Sequence, residues 1–417
     1  MAIFIGGKGE DILSWRSVAE LVAGMRETLV GRMAMLPTAG NLELLRELSS
    51  RLAGELAAEE EFTAALERVL QALEEAGYAD ELPTLHSRFK GLVADYFHRT
   101  GSVLAIHAIA NTFRDALLRK VLSLVERDLA REGSERPSAS SCWLAYGSTG
   151  RMEQTLCDEH RFLLVHRGED AASRTYFDTL SHRTMTILRA CFPAAAHHWR
   201  EAGEMFWTGT LSAFRRFGEE DGESGPTLEW GDPSDSCGLL ADLRAVAGDV
   251  TLAGELLALV REIIGRLRQT DRFRQTARRV VAQPTPLGFF GGLKVEKSGP
   301  HRGEFNLRLL ALAPLIAAVR VLAVQHGIPA TATVERLKAL VEGRHLNVEL
   351  TEHLLHTYHE FSRWKILLEL KHGCREGHCF FLNPAELNEE EEFRFREGLE
   401  AVETLQRIVG QQLEAEG

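Results

Sequence analysis

The chain has 417 residues, 45% hydrophobic and 26% charged, with only 12 Pro and 36 Gly. That length implies two or three domains, and the composition excludes disordered and fibrous classes. There are 60 acidic against 48 basic residues, a net charge of −12, so a chain-wide nucleic-acid footprint is not expected.

Residues from about Asp11 to Ala130 read as helices that pack as an antiparallel bundle. Asn41 to Ala76 carries apolar residues at three- and four-residue spacing, with Asn41 as N-cap and Gly77 as stop. A second helical stretch runs from about Leu82 to Leu129. Residues 131–141, REGSERPSASS, are polar and mark a break in texture. After them CWLAYGS is a short strand ending in Gly-Ser, STGRMEQTL a short helix, and RFLLVHR a second strand. The second strand is apolar on both faces and therefore central.

Helix follows from Ser173 to Cys191, and residues 218–236 form a Gly/Pro/acid-rich loop. Leu239 to Val246 reads as another strand, and helix resumes from about Thr251 to Val281. Residues 283–303 make a Pro/Gly-rich connection. The remainder is helical, with Gly327 and Gly343 as stops and the acids of NEEEEF opening a helix.

Six Cys are scattered through the chain, and one of this size needs no disulfide scaffold. The expected compartment is a reducing cytoplasm. The first residues lack the basic region of a signal peptide. The longest apolar run, Leu309 to Val319, is too short to span a bilayer, so no membrane partner is expected.

The stretch that carries chemistry is Gly147-Ser148-Thr149-Gly150-Arg151-Met152-Glu153-Gln154, followed by Asp158-Glu159-His160. A Gly-Ser turn between strand and helix lets backbone N–H groups approach a phosphate, and a helix N-terminus adds favourable partial charge. Ten residues past Ser148 an acid opens the next strand. In nucleotidyl transfer, carboxylates at alternate strand positions hold two Mg²⁺ ions that clamp the attacking oxygen and the α-phosphate.

This pattern resembles the nucleotidyltransferase domain of the PII-protein uridylyltransferase. It is closer still to that enzyme's nucleotidyltransferase relatives, which often carry CBS or cyclic-nucleotide-binding domains at the N-terminus. Their motif is Gly-Ser-x-x-Arg-x-Glu-Gln, then Asp-Gln-Asp on the next strand. Gly147, Ser148, Arg151, Glu153 and Gln154 match it, and Asp158 matches the first acid. Downstream, ADLRAVAGD resembles the family's Asp-x-Arg-x-x-x-Gly-Asp segment and makes Asp242 the implied third acid. The C-terminal region resembles the helical domain that follows in these relatives.

Beside the helical N-terminal region (1–94) read from periodicity, the resemblance implies an α+β chain with a small mixed-sheet, polymerase-β-like nucleotidyltransferase domain (95–270) and a helical C-terminal domain (271–417). It implies transfer of a nucleoside monophosphate from a nucleoside triphosphate to a protein acceptor in bacterial signalling. Asp158 and Asp242 would be catalytic, and with residue 160 they would hold Mg²⁺ or Mn²⁺. Gly147, Ser148, Arg151, Glu153 and Lys294 would bind nucleotide.

Two departures stand beside it. His160 occupies the place of the second acid, and neutral imidazole suits Mn²⁺ or Zn²⁺ better than Mg²⁺. Asn306 and Arg308 stand where the relatives usually show Asp and Lys. No CBS domain is visible, and no His-Asp dipeptide answers to the uridylyltransferase's hydrolase domain. The alternative function is a catalytically silent nucleotide-sensing or partner-binding module. His372, Cys374, His378 and Cys379 could bind zinc or form a plain loop. His353, His356 and His359 share a helix face and read as surface or core positions. Lys294, Lys297, His301 and Arg302 form a basic group that either touches a triphosphate or is merely solvated. Trp199, Trp207 and Trp230 read as core or near-core packing.

Overall fold

The computed structural model describes residues 38–157, 161–192, 206–219, 236–283, 286–287, 292–373 and 378–415. The described residues divide into two compact units, one ending at Lys120 and the other beginning at Val121. The whole is α+β, mostly helical with one small mixed sheet.

In the first unit, α1 (Thr38–Glu75), α2 (Leu82–Thr100) and the start of α3 (Val103–Arg131) carry the apolar stripes that the periodicity predicts. Leu66 and Leu73 from α1, Phe89 and Val93 from α2, and Ile106 and Phe113 from α3 are buried. Phe89 and Phe113 stack with ring centroids 3.9 Å apart. Asn41 is not the cap expected, because the helix already begins at Thr38. The long helix read from Leu82 to Leu129 is two helices. Gly101, at φ 64°, closes α2 in the left-handed conformation that glycine adopts without strain.

The second unit begins with the sheet. Strand β1 (Ser141–Ala145) pairs antiparallel with β2 (Phe162–His166), which pairs parallel with β3 (Phe206–Thr210). Strand β4 (Arg244–Gly248) lies antiparallel on the other side of β1, giving the order β3-β2-β1-β4. Every residue of β2 is buried, as its two apolar faces require. Cross-strand pairs Cys142–Val165 and Leu144–Leu163 share one face. They pack with Leu252, Leu256, Val260 and Ile263 of α8 (Val250–Leu267). Helix α5 (Ala171–Cys191) packs on β2 and β3. Between β3 and β4 come α6 (Leu211–Glu219) and α7 (Ser236–Ala241). The strand expected over Leu239–Val246 is therefore displaced: its first half is helix α7, and β4 starts only at Arg244. Asp242 consequently sits in the joint before the strand and not on it.

The C-terminal helices are α9 (Asp271–Val281), α10 (Ala313–Gln325), α11 (Thr333–Glu342), α12 (Val348–His372) and α13 (Glu389–Ala415). Thr270 caps α9, which breaks the single helix expected from Thr251 to Val281. Asn388 and Glu391 exchange side chain-to-backbone hydrogen bonds at the acidic start of α13, a capping box. A two-residue ladder joins β5 (Phe305–Asn306) to β6 (Phe381–Leu382), an element the helical reading missed.

Asn306 Oδ1 accepts the Leu309 N–H at 3.0 Å, a capping task that Asn and Asp perform alike. The continuous helical stretch Arg308–Gln325 is longer than the apolar run read from sequence. By length and composition it could cross a membrane. Here Leu315, Ala318, Val319 and Leu322 are instead buried against Leu337, Phe361 and Leu405 as the core helix of this domain.

Candidate nucleotide site

The Gly147–Gly150 segment is a single helical turn, α4. It is too short for the helix-terminus charge expected from the sequence, since a macrodipole needs several aligned peptide units. What the turn does provide is a tight exit from β1. Gly147 has φ 59°, in the left-handed region, and Gly147 and Ser148 are half-exposed.

Two arginines flank this turn. Arg161, just before β2, receives a hydrogen bond at its carbonyl from the Tyr146 N–H, and its own N–H donates to Thr149 Oγ1 at 3.3 Å. Its side chain crosses Gly147 so closely that a Cβ there would lie 3.3 Å from Arg161 Cδ. Arg244, the first residue of β4, donates from Nη2 to the Thr149 carbonyl at 3.2 Å. Arg161 was not singled out from sequence, and its only signal was its place at the opening of β2. Arg244 was read only as the Arg of the Asp-x-Arg segment, with no role given to it.

Behind the turn lies a buried ion cluster. Arg151 donates to Glu153 Oε2 and to Asp242 Oδ2, both at 2.6 Å. Asp242 Oδ2 also accepts from Arg320 of α10 at 2.8 Å, and Oδ1 accepts from Arg336 of α11 at 2.9 Å. Asp242 is 1% exposed. Glu153 Oε1 accepts the Thr333 N–H at 2.6 Å, at the N-terminus of α11. Further along, Glu369 of α12 accepts from the Thr155 hydroxyl at 2.7 Å and from the Leu156 N–H at 3.0 Å. The motif thus ties the sheet to three C-terminal helices, a use that sequence reasoning did not foresee.

Burial alone would raise the pKa of Asp242, but Arg320, Arg151 and Arg336 together hold it below the ordinary carboxylate range. Glu153 is likewise buried yet lowered, by Arg151 and Thr333. Burial works against the charge on Arg151, and Glu153 and Asp242 reverse that and raise its pKa. Groups with lowered folded pKa values stabilise the fold above their unfolded values and lose that contribution as pH falls through the folded ones. The expected result is a melting temperature that drops below about pH 4, where free carboxylates begin to protonate. The drop should be smaller in Glu153→Gln, which carries no charge to lose there. Thermal scans from pH 7 to 3 check this, and an equal drop in both forms would refute it.

Glu369→Ala leaves the Thr155 hydroxyl and the Leu156 N–H buried without this acceptor. It should cost about 2–4 kcal/mol by denaturant unfolding, whereas Glu369→Gln, which keeps an acceptor, should cost less.

Arg151, Glu153 and Asp242, all named from the sequence, therefore come together, with Gly147 and Ser148 beside them. Lys294 is exposed on the connection and takes no part in the Asp242 cluster. Asp158, Glu159 and His160 lie outside the described residues, as do Trp199, Trp230 and Cys374. Among the described residues no three His, Cys, Asp or Glu side chains converge as metal ligands. With both Asp242 oxygens held by guanidinium groups, the described donors do not fit a divalent cation. Cys142, Cys191 and Cys379 are buried. Cys157 is disulfide-bonded.

Residues 87–220 match the family model described as "Putative nucleotidyltransferase DUF294". Residues 270–413 match the model described as "Putative nucleotidyltransferase substrate binding domain". No curated protein matches the chain. The two matches lie in this order on either side of Asp242, so the chain is similar in two separate stretches to the domains those descriptions name.

Proposed function

We propose that this chain is a nucleoside-triphosphate-binding regulatory module, built on the nucleotidyltransferase domain pair and silent in nucleotidyl transfer. The observation that carries this is Asp242. The resemblance makes it the third metal-binding acid, yet three guanidinium groups share its two oxygens and the residue is buried. Recruiting it to a metal would break buried, charge-assisted hydrogen bonds and leave arginines without their counter-ion. His160 removes a second carboxylate from the pattern.

In this reading Gly147 and Ser148 let the phosphates approach the backbone. Arg161 and Arg244 meet their charge, and the C-terminal helices register occupancy through Glu153, Asp242 and Glu369. The second reading is an active transferase of the PII-protein uridylyltransferase type, using Mg²⁺ or Mn²⁺ and a protein acceptor. The presence of both family domains favours it.

The test separates the two. A silent module gains melting temperature with nucleoside triphosphate by linkage and releases no pyrophosphate with any candidate acceptor. Turnover that disappears in Asp158→Ala would establish the transferase instead.

A further inference from the structure

We propose that the corner formed by the end of α8 and by α9, residues 261–279, is a docking surface for duplex DNA, which it holds by the phosphates without regard to sequence. The proposal does not rest on the nucleotide reading above, and either can fail alone. The positive charge that the chain lacks as a whole is concentrated here. Residues 261–279 hold seven arginines against Glu262 and Asp271, a surplus of five positive charges in a chain whose net charge is −12. A local surface of this kind attracts a polyanion even when the whole molecule is acidic.

Helix α9 turns Phe273, Ala277 and Val280 into the core of the C-terminal helices and leaves its other side to solvent. Arg278 and Arg279 are exposed there, and Arg274 is half-exposed. Arg261, Arg266 and Arg268, on and just past the last turns of α8, are exposed as well. Arg266 lies 3.8 Å from Glu262, and Arg274 lies 3.0 Å from Asp271. Both are surface pairs, so water screens them and they yield easily to a phosphate. Arg261 donates to the Leu257 carbonyl, which has no charge to cancel its own. Arg268 and Arg278 have no acid partner among the described residues. Helix α13 packs on α9 at Gln406 and Gly410, and along that length it adds Glu403, Arg407 and Glu414. That lowers the surplus by one and does not reverse it.

The same face decides between kinds of polyanion. A protein partner needs an apolar or aromatic anchor at the centre of the contact. Of the large apolar side chains exposed among the described residues, Val281 alone belongs to this corner. A flat bilayer meets one side of a helix, and the apolar residues of α9 that would enter it are already in the core. Arg274 and Arg279 instead lie about 140° apart around the helix axis, so phosphates on the two walls of a groove can meet both. Arg274 and Arg278 stand one turn apart, roughly 6 Å along the axis, comparable with the step between phosphates on one strand. The major groove of B-form DNA is wide enough to take a helix, whereas that of duplex RNA is too narrow for side chains to read. No exposed aromatic ring among the described residues of this corner offers a platform for unpaired bases, which favours duplex over single strand.

The experiment is fluorescence anisotropy with the full chain across a range of salt. The probes are two DNA duplexes of unrelated sequence, the matching RNA duplex, the single strand and phosphatidylserine vesicles. The expected result is equal affinity for both DNA duplexes, on the order of micromolar at low salt and falling as salt rises. Arg274→Gln and Arg278→Gln should each weaken DNA binding roughly fivefold and reduce the salt slope by about 1, whereas Arg278→Lys, which keeps the charge, should stay near the wild type. Arg51→Gln, on the exposed surface of α1, is the control and should change nothing. The exposed sites make unchanged melting temperatures the expected sign that every variant is folded. No duplex binding at low salt would overturn the proposal, as would equal affinity in wild type and the Arg274→Gln, Arg278→Gln double variant. Tighter binding to the vesicles, the RNA duplex or the single strand would overturn it in favour of that partner.

Discussion

Replacing Asp242 by Ala should unfold the second unit far more readily than replacing a catalytic acid would. The expected loss is about 3–5 kcal/mol, the usual cost of removing one partner from a buried ion pair. For a unit of this size that corresponds to a fall in melting temperature on the order of 10 °C. The reason is geometric. Arg151, Arg320 and Arg336 converge on one carboxylate that is 1% exposed. Without it, buried guanidinium groups face each other with Glu153 as the remaining acid of the cluster. A double-mutant cycle gives the sharper form. Asp242→Asn and Arg336→Met should combine to less than the sum of their separate costs, because the second change removes a charge that the first has orphaned. An Asp242→Ala protein that melts like the wild type would show that the carboxylate is free for other work. The metal-ligand role would then regain its standing.

The first two strands were legible because their signals are local, whereas β3 (Phe206–Thr210) was not read from the sequence. Phe162–Val165 is a run of large apolar residues bounded by Arg161 and His166, and such a run belongs inside a sheet. The polar stretch 131–141 separates helix from strand where charge and Pro/Ser content change. A helix start was read well where a side chain does the capping, as at Asn388. The strand over Leu239–Val246 was misplaced for a different reason. An apolar run of that length fits a helix end and a strand start equally well, and tertiary packing decides between them.

The site was legible as a list of residues and not as an arrangement. Arg151, Glu153 and Asp242 carry their identities in the motif. Nothing local says that Arg320 and Arg336, 78 and 94 residues past Asp242, close on its carboxylate. A long-range ion cluster leaves no periodic trace, because each member costs its own helix nothing. The same holds for Glu369, which reads as one more acid on an amphipathic helix until the fold brings Thr155 and Leu156 against it. Asn306, a departure from the pattern in sequence, becomes intelligible once it is seen to cap a helix.

Gly150 gives the most direct test of how β1, the turn and β4 are packed. A Cβ at this position would fall inside the contact radius of the Asp242 carbonyl oxygen and 2.8 Å from the carbonyl oxygen of Ala145. Both obstacles are backbone, so no side chain can rotate away to make room. The Ala145 carbonyl ends β1, and Asp242 is fixed through its side chain by three arginines. Gly150→Ala must therefore shift the joint before β4 and loosen the ion cluster with it. Overpacking of this kind commonly costs 1–3 kcal/mol, and the added loss of cluster geometry should bring the total to about 3 kcal/mol or more. Gly254→Ala in α8 is the control, since a Cβ there meets nothing within 4 Å. It should leave the melting temperature unchanged or raise it, as Ala favours helix. Chemical denaturation of the two variants decides the matter. If Gly150→Ala is as stable as Gly254→Ala, the close approach of the motif to Asp242 is not a feature of the folded protein.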